Sequence, residues 1–133
     1  MKNPNEQPAI LIVDDIETNR TMLKRFLLQK YDCRVLEAED GDRALQLALK
    51  ESPAIILMDI GLPGHGGLFV TQQMRKRREL RDVPIIAVTA YDSTGLRLEA
   101  ETAGVTDYVT KPLDLENFTR LIDQFLQPDS ASK

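Results

Sequence analysis

The chain has 133 residues, a net charge of −4 and 42% hydrophobic residues, enough for one ordinary domain whose core needs neither disulfides nor a structural metal. The acidic balance argues against nucleic acid as the main partner. No apolar stretch approaches the ~20 residues a membrane span needs, and the opening MKNPNEQP lacks a signal-peptide core. Cys33 is the only cysteine and cannot pair within the chain, which points to a reducing compartment, the cytoplasm.

Taken in order, the chain alternates apolar runs with helical patterns. AILIV (Ala9 to Val13) runs into Asp14 and Asp15. From Thr18 to Lys30, Leu23, Phe26, Leu27 and Lys30 fall on one helical stripe. The more polar run from Cys33 to Ala38 suits an edge strand. Asp40 can cap a helix from Gly41 to Lys50, with Ala44, Leu45, Ala48 and Leu49 inward, and Ser52-Pro53 stops it. AIILM (Ala54 to Met58) runs into Asp59. Gly64 to Gly67 reads as a loop before a helix from Leu68 to Arg78. PIIAV (Pro84 to Val88) runs into Thr89. Ser93 can cap the next helix, which Gly104 ends. DYVT (Asp107 to Thr110) runs into Lys111 and Pro112, and Asp114 can open a last helix with Leu115, Phe118, Leu121, Ile122 and Phe125 as its apolar face.

Unbroken runs of Ile, Val and Leu read as strands buried on both faces, as in a parallel sheet covered by helices. The expected fold class is α/β: a (βα)5, doubly wound, flavodoxin-like parallel sheet. Residues 1–7 form an N-terminal extension, 8–127 the domain, and 128–133 a disordered tail. Ligands of such sheets bind at the carboxyl ends of the strands. Asp14, Asp15, Asp59, Thr89 and Lys111 all stand there, so three carboxylates, a hydroxyl and an ammonium converge. That is equipment for a divalent metal and a phosphoryl group. If Asp15 and Asp59 share a metal, their strands are neighbours, and right-handed crossovers then give the order 2-1-3-4-5.

The pair Asp14-Asp15, the stretch LMDIGLPG around Asp59, AVTA with Thr89-Ala90, and Lys111-Pro112 resemble, in order and spacing, the receiver domain of two-component response regulators over residues 8 to 127. The resemblance implies a signalling phosphoacceptor that catalyses only its own phosphorylation and dephosphorylation. Asp59 takes a phosphoryl group from the phosphohistidine of a histidine kinase or histidine phosphotransfer protein, with Mg²⁺. It also implies Asp15 and Asp59 as direct metal ligands, the backbone carbonyl of Gly61 as a third, and Asp14 acting through water. Thr89 and Tyr108 become the switch pair. The face formed by the fourth helix, fifth strand and fifth helix becomes the contact for a downstream protein.

The chemistry of these roles is general. A carboxylate attacks phosphorus poorly unless charge is neutralised and the groups are held in line. Lys111 and the Thr89 hydroxyl can each engage one phosphoryl oxygen, and the small Ala90 leaves room. The Lys111-Pro112 bond is expected to be cis, since X-Pro is the bond type where cis costs little. Three crowded carboxylates should raise one another's pKa values, so neutralising Asp14 or Asp59 should stabilise the metal-free fold.

Ile16, Asn19 and Met22, on the side of the first helix away from Leu23 and Phe26, are a candidate docking face for a histidine-bearing helical bundle, with Pro112 beside it. Arg75 to Arg78, with Arg81, read as a solvated helix C-terminus where cations suit the dipole. Receivers usually carry Met-Asp-Gly where this chain has His65-Gly66-Gly67, and the glycines should loosen the loop. No output domain is expected after the last helix, so a stand-alone regulator or a receiver from a hybrid kinase are both open. Two other classes compete: a flavodoxin-like nucleotide or flavin binder, and a metal-dependent phosphatase working through an aspartyl-phosphate. The first needs a phosphate cradle where this chain has two carboxylates. The second needs a general acid and a cap.

Overall fold

The structure is a computed structural model, and it describes residues 7–64, 66–90 and 93–126. Five parallel strands, β1 (Ala9–Val13), β2 (Arg34–Ala38), β3 (Ile55–Asp59), β4 (Ile85–Thr89) and β5 (Asp107–Thr110), form one sheet in the order β2-β1-β3-β4-β5. The helices are α1 (Glu17–Lys30), α2 (Gly41–Glu51), α3 (Gly66–Arg75), α4 (Thr94–Ala103) and α5 (Leu115–Leu126). The expected order is therefore the observed one, and the acidic residues lie where it reverses between β1 and β3.

The apolar runs are continuous because alternate residues serve opposite layers. Leu11, Val13, Ile56 and Met58 meet Ala44, Leu47, Ala48 and Met74 of α2 and α3. Ile10, Ile12, Ile55 and Leu57 meet Leu27 of α1 and Phe118 and Ile122 of α5. Each fully buried Ile, Leu or Phe is worth about 1.5–3 kcal/mol against exposure, so the central strands carry most of the stability. At the edge, β2 is half-buried except for Ala38, as its polar composition implies.

Helix boundaries follow their caps. Asp40 Oδ1 accepts from the Arg43 N–H at 2.8 Å, and left-handed Ser52 (φ 48°) before Pro53 stops α2. Ser93 Oγ accepts from the Leu96 N–H at 3.1 Å; Gly104 (φ 108°) ends α4. Asp114 Oδ1 accepts from the N–H groups of Glu116 and Asn117. Lys111-Pro112 is cis. The expected tail, most of the N-terminal extension and His65 lie outside the described residues.

One helix departs from expectation. It starts at Gly66, ends at Arg75 rather than Arg78, and is followed by a 3-10 turn over Arg78–Leu80. The reason is Arg75, whose guanidinium points inward. It donates to the carbonyl oxygens of Gly104 (2.8 Å), Leu80 (2.7 Å), Arg81 (3.1 Å) and Val83 (2.8 Å), and to Thr106 Oγ1 (3.3 Å). The basic run is thus solvated only from Lys76 onward, where Lys76, Arg77, Arg78 and Arg81 are exposed.

Candidate functional site

Four strand ends deliver the site. Asp14 follows β1, Asp59 closes β3, Thr89 closes β4, and Lys111 follows β5, its N–H donating to the Thr89 carbonyl at 2.7 Å. One carboxylate oxygen from each of Asp14, Asp15 and Asp59 lies within 4.8 Å of the others. Asp14 is 3% exposed, Asp59 is half-buried and Asp15 is exposed. Thr89 is buried beside them. A cluster of hard carboxylate oxygens on rigid strand ends fits Mg²⁺ or a similar divalent ion and suits soft metals poorly.

The carboxylates are not equivalent. Asp14 is held on every side: Oδ1 accepts from the Ile16 N–H (2.9 Å), Oδ2 accepts from Asn19 Nδ2 (3.2 Å), and Lys111 Nζ lies 3.6 Å from Oδ2. Asp59 Oδ1 has the Gly61 N–H at 2.9 Å. Burial raises the Asp59 pKa above the usual carboxylate value. The Gly61 hydrogen bond opposes this, the Asp14 charge adds to it, Lys111 opposes it, and Asp15 adds to it.

This changes the expectation that any neutralised carboxylate relieves the pocket. Asp59 binds its proton more tightly folded than unfolded, so stability falls as pH rises from its unfolded to its folded pKa. In EDTA at neutral pH, Asp59→Asn should therefore raise stability by about 1 kcal/mol. Asp14→Asn should instead lower it by about 1.5 kcal/mol, because a charged acceptor of two hydrogen bonds and an ion pair is lost from a buried position. A divalent ion at ten times its Kd should stabilise wild type by about 1.4 kcal/mol. Urea melts across pH, with EDTA and with Mg²⁺, measure all three. Stabilisation by Asp14→Asn in EDTA would contradict the assignment of its partners.

Gly61 engages Asp59 through its amide. The glycines after His65, expected to loosen the loop, open α3. Gly66 has φ +85°, and a Cβ on Gly67 would lie 2.2 Å from the Asp59 carbonyl oxygen. That close approach, with the Gly67 N–H donating to Ile60 O at 3.1 Å, sets α3 against the end of β3.

The docking candidates need one correction. Asn19 and Met22 do not face away from Leu23 and Phe26. The four line a single apolar groove with Leu113, Leu115, Lys111 and Pro112, because positions 19, 22, 23 and 26 are i, i+3, i+4 and i+7 of one stripe. Ile16, Met22 and Leu115 are more than half exposed beside it. Tyr108 is half-buried on β5, with the Arg97 guanidinium 4.6 Å from its ring centroid, within cation–π range. Arg20, whose guanidinium meets the Asp14 carbonyl, carries little signal in the sequence. Its spacing, six residues after Asp14 and one after Asn19, is the only hint the sequence carries.

Residues 10–123 match the model of the response regulator receiver domain. The chain belongs to this family of two-component signalling domains. It is 38% identical over 117 residues to protein PilH of Pseudomonas aeruginosa, covering 88% of this chain and 96% of PilH. Polar-differentiation response regulator DivK of Brucella ovis is 35% identical over 118 residues, with 89% and 95% covered. Response regulator PleD of Caulobacter vibrioides is 34% identical over 134 residues and 93% of this chain, which spans 29% of PleD's length. Among solved structures, chemotaxis protein CheY4 of Vibrio cholerae superposes with a TM-score of 0.83 at 27% identity, covering 90% of this chain and 99% of CheY4. The receiver domain of sensor histidine kinase PA1611 from Pseudomonas aeruginosa, with a magnesium ion coordinated in its active-site cleft, superposes with 0.80 at 32% identity, covering 90% of this chain and 98% of that one.

Proposed function

We propose that Asp59 is the phosphoacceptor of this receiver domain and that residues 8–127 form the receiver unit. The observation that carries the reading is the convergence of Asp14, Asp15 and Asp59 within 4.8 Å at the strand ends, with Lys111 3.6 Å from Asp14. Asp59 attacks the phosphorus of a phosphohistidine; its oxygen–phosphorus bond forms as the nitrogen–phosphorus bond breaks, and the electron pair returns to the imidazole. Asp15, Asp59 and the Gly61 carbonyl would hold Mg²⁺, with Asp14 reaching it through water. When bound, the ion neutralises charge on the phosphoryl oxygens. Lys111 turns from Asp14 to a phosphoryl oxygen, and the Thr89 hydroxyl donates to another. The chain then acts only on its own acyl phosphate. An outside-substrate phosphatase would need a general acid and a cap.

Incubation with Mg²⁺ and acetyl phosphate, followed by intact mass, should show one added phosphoryl on wild type and none on Asp59→Asn. Equal labelling of the variant would falsify the assignment.

The groove along α1, with Ile16, Asn19, Met22 and Pro112, is the proposed contact for the helical histidine-bearing donor, a kinase or phosphotransfer protein of the cytoplasm. Among the described residues no helix is long and apolar enough to cross a membrane. For output, Thr89 drawn toward the phosphoryl group vacates space into which Tyr108 rotates, leaving Arg97 and altering the α4–β5–α5 face for a downstream protein. Crystal structures with and without a beryllofluoride phosphoryl mimic should differ in both rotamers. Identical rotamers would refute the switch.

A further inference from the structure

We infer that Arg20 is a positioning residue for the cation site, acting through the peptide that joins its two leading carboxylates. The inference rests on the divalent-cation reading above. Arg20 NH1 donates to the Asp14 carbonyl at 2.8 Å, and its Nε meets Glu37 Oε1 at 3.0 Å. Its side chain is 13% exposed. Glu37 lies on β2, and the next residue, Ala38, accepts the Asp14 N–H at 3.1 Å. The end of β2 therefore grips Asp14 from both sides, directly at its amide and through Arg20 at its carbonyl. Lys24 Nζ, 3.5 Å from Glu37 Oε2, steadies the same carboxylate.

The carbonyl that Arg20 holds belongs to the Asp14–Asp15 peptide. Rotation of that peptide plane changes ψ of Asp14 and φ of Asp15 together. Asp14 has its own side-chain partners, but Asp15 is exposed, and no hydrogen-bond donor to its carboxylate is seen among the described residues. The backbone sets where the Asp15 carboxylate points before a cation arrives. A guanidinium suits this task, since its planar fork bridges a carbonyl and a carboxylate in fixed geometry.

Charge and geometry predict opposite signs here. Arg20 is a cation beside a site for a dication, so by Coulomb's law alone its removal should tighten binding. If it positions the site, removal should weaken binding, on the scale of the tenfold losses typical when groups orienting metal ligands are lost. Mg²⁺ is titrated calorimetrically into the metal-free full chain at fixed ionic strength, for wild type, Arg20→Met, Arg20→Lys and Asp15→Asn. Urea midpoints in EDTA report any folding cost separately. The Kd of Arg20→Met should rise about tenfold. Arg20→Lys, which keeps the charge without the fork, should fall between it and wild type. Binding by Arg20→Met as tight as wild type, or tighter, overturns the inference; if that variant does not fold, unchanged or tighter binding by Arg20→Lys does so. Failure of wild type to bind Mg²⁺, or of Asp15→Asn to weaken binding, would overturn the cation reading itself and the inference with it.

Discussion

Gly67→Ala should destabilise the protein by about 3 kcal/mol and disturb Asp59. The new Cβ would lie 2.2 Å from the Asp59 carbonyl oxygen, 2.9 Å from its carbonyl carbon and 3.0 Å from Ile60 Cα. All three are backbone atoms, so no rotamer relieves the contact, and overpacking against a rigid strand end costs at the upper end of its usual range. Either α3 moves outward, breaking the Gly67 N–H bond to Ile60 O, or the end of β3 moves and carries Asp59 with it. Gly64→Ala is the comparison. Its Cβ would meet nothing within 4 Å, and its cost of about 1 kcal/mol comes from its positive φ alone. Urea unfolding of both variants, with the extent of acetyl phosphate labelling, separates the effects. Equal midpoints for the two variants would show that the loop yields more readily than this packing allows.

Arg75→Ala should cost a similar amount, about 3 kcal/mol, at the opposite end of the sheet. The guanidinium satisfies the carbonyls of Gly104, Leu80, Arg81 and Val83 and reaches Thr106 Oγ1; Thr106 Oγ1 in turn accepts the Ile85 N–H at 3.0 Å. One side chain thus ties the end of α3, the 3-10 turn, the C-cap of α4 and the start of β4. Hydrogen bonds from a charged donor contribute about 1.5–3 kcal/mol each, but exposed carbonyls such as that of Arg81 recover water, so the sum is much less than additive. Arg75→Lys should lose about 2 kcal/mol, since an ammonium cannot span the same acceptors. Amide exchange should rise at Gly104, Val105 and Thr106 well before it rises in β1 and β3. A change within 0.5 kcal/mol for Arg75→Ala would mean that water replaces the guanidinium at little cost.

The two arginines and the glycine mark where reading from sequence stops. The strands were legible because residues buried on both faces leave an unbroken apolar run, as in AILIV and AIILM, and a run of that kind needs no partner to be noticed. Caps at Asp40, Ser93 and Asp114 were legible because a side-chain oxygen satisfies amides two or three residues away in the same chain. The convergence of Asp14, Asp59, Thr89 and Lys111 followed from topology, since parallel strands with right-handed crossovers put all their carboxyl ends on one side. Arg75 read as surface because a basic run after a helical pattern is usually solvated; its acceptors come from residues up to 31 positions away, and no local period encodes them. Arg20 was silent for the same reason, its Glu37 partner lying 17 positions on. The difference between Asp14 and Asp59 was not legible either: both accept from donors close in the chain, but the Lys111 ammonium reaches Asp14 from beyond β5. Periodicity and strand-end chemistry are properties of neighbours in the chain. The long-range hydrogen bonds of Arg20 and Arg75, and the steric need for Gly67, exist only between neighbours in space.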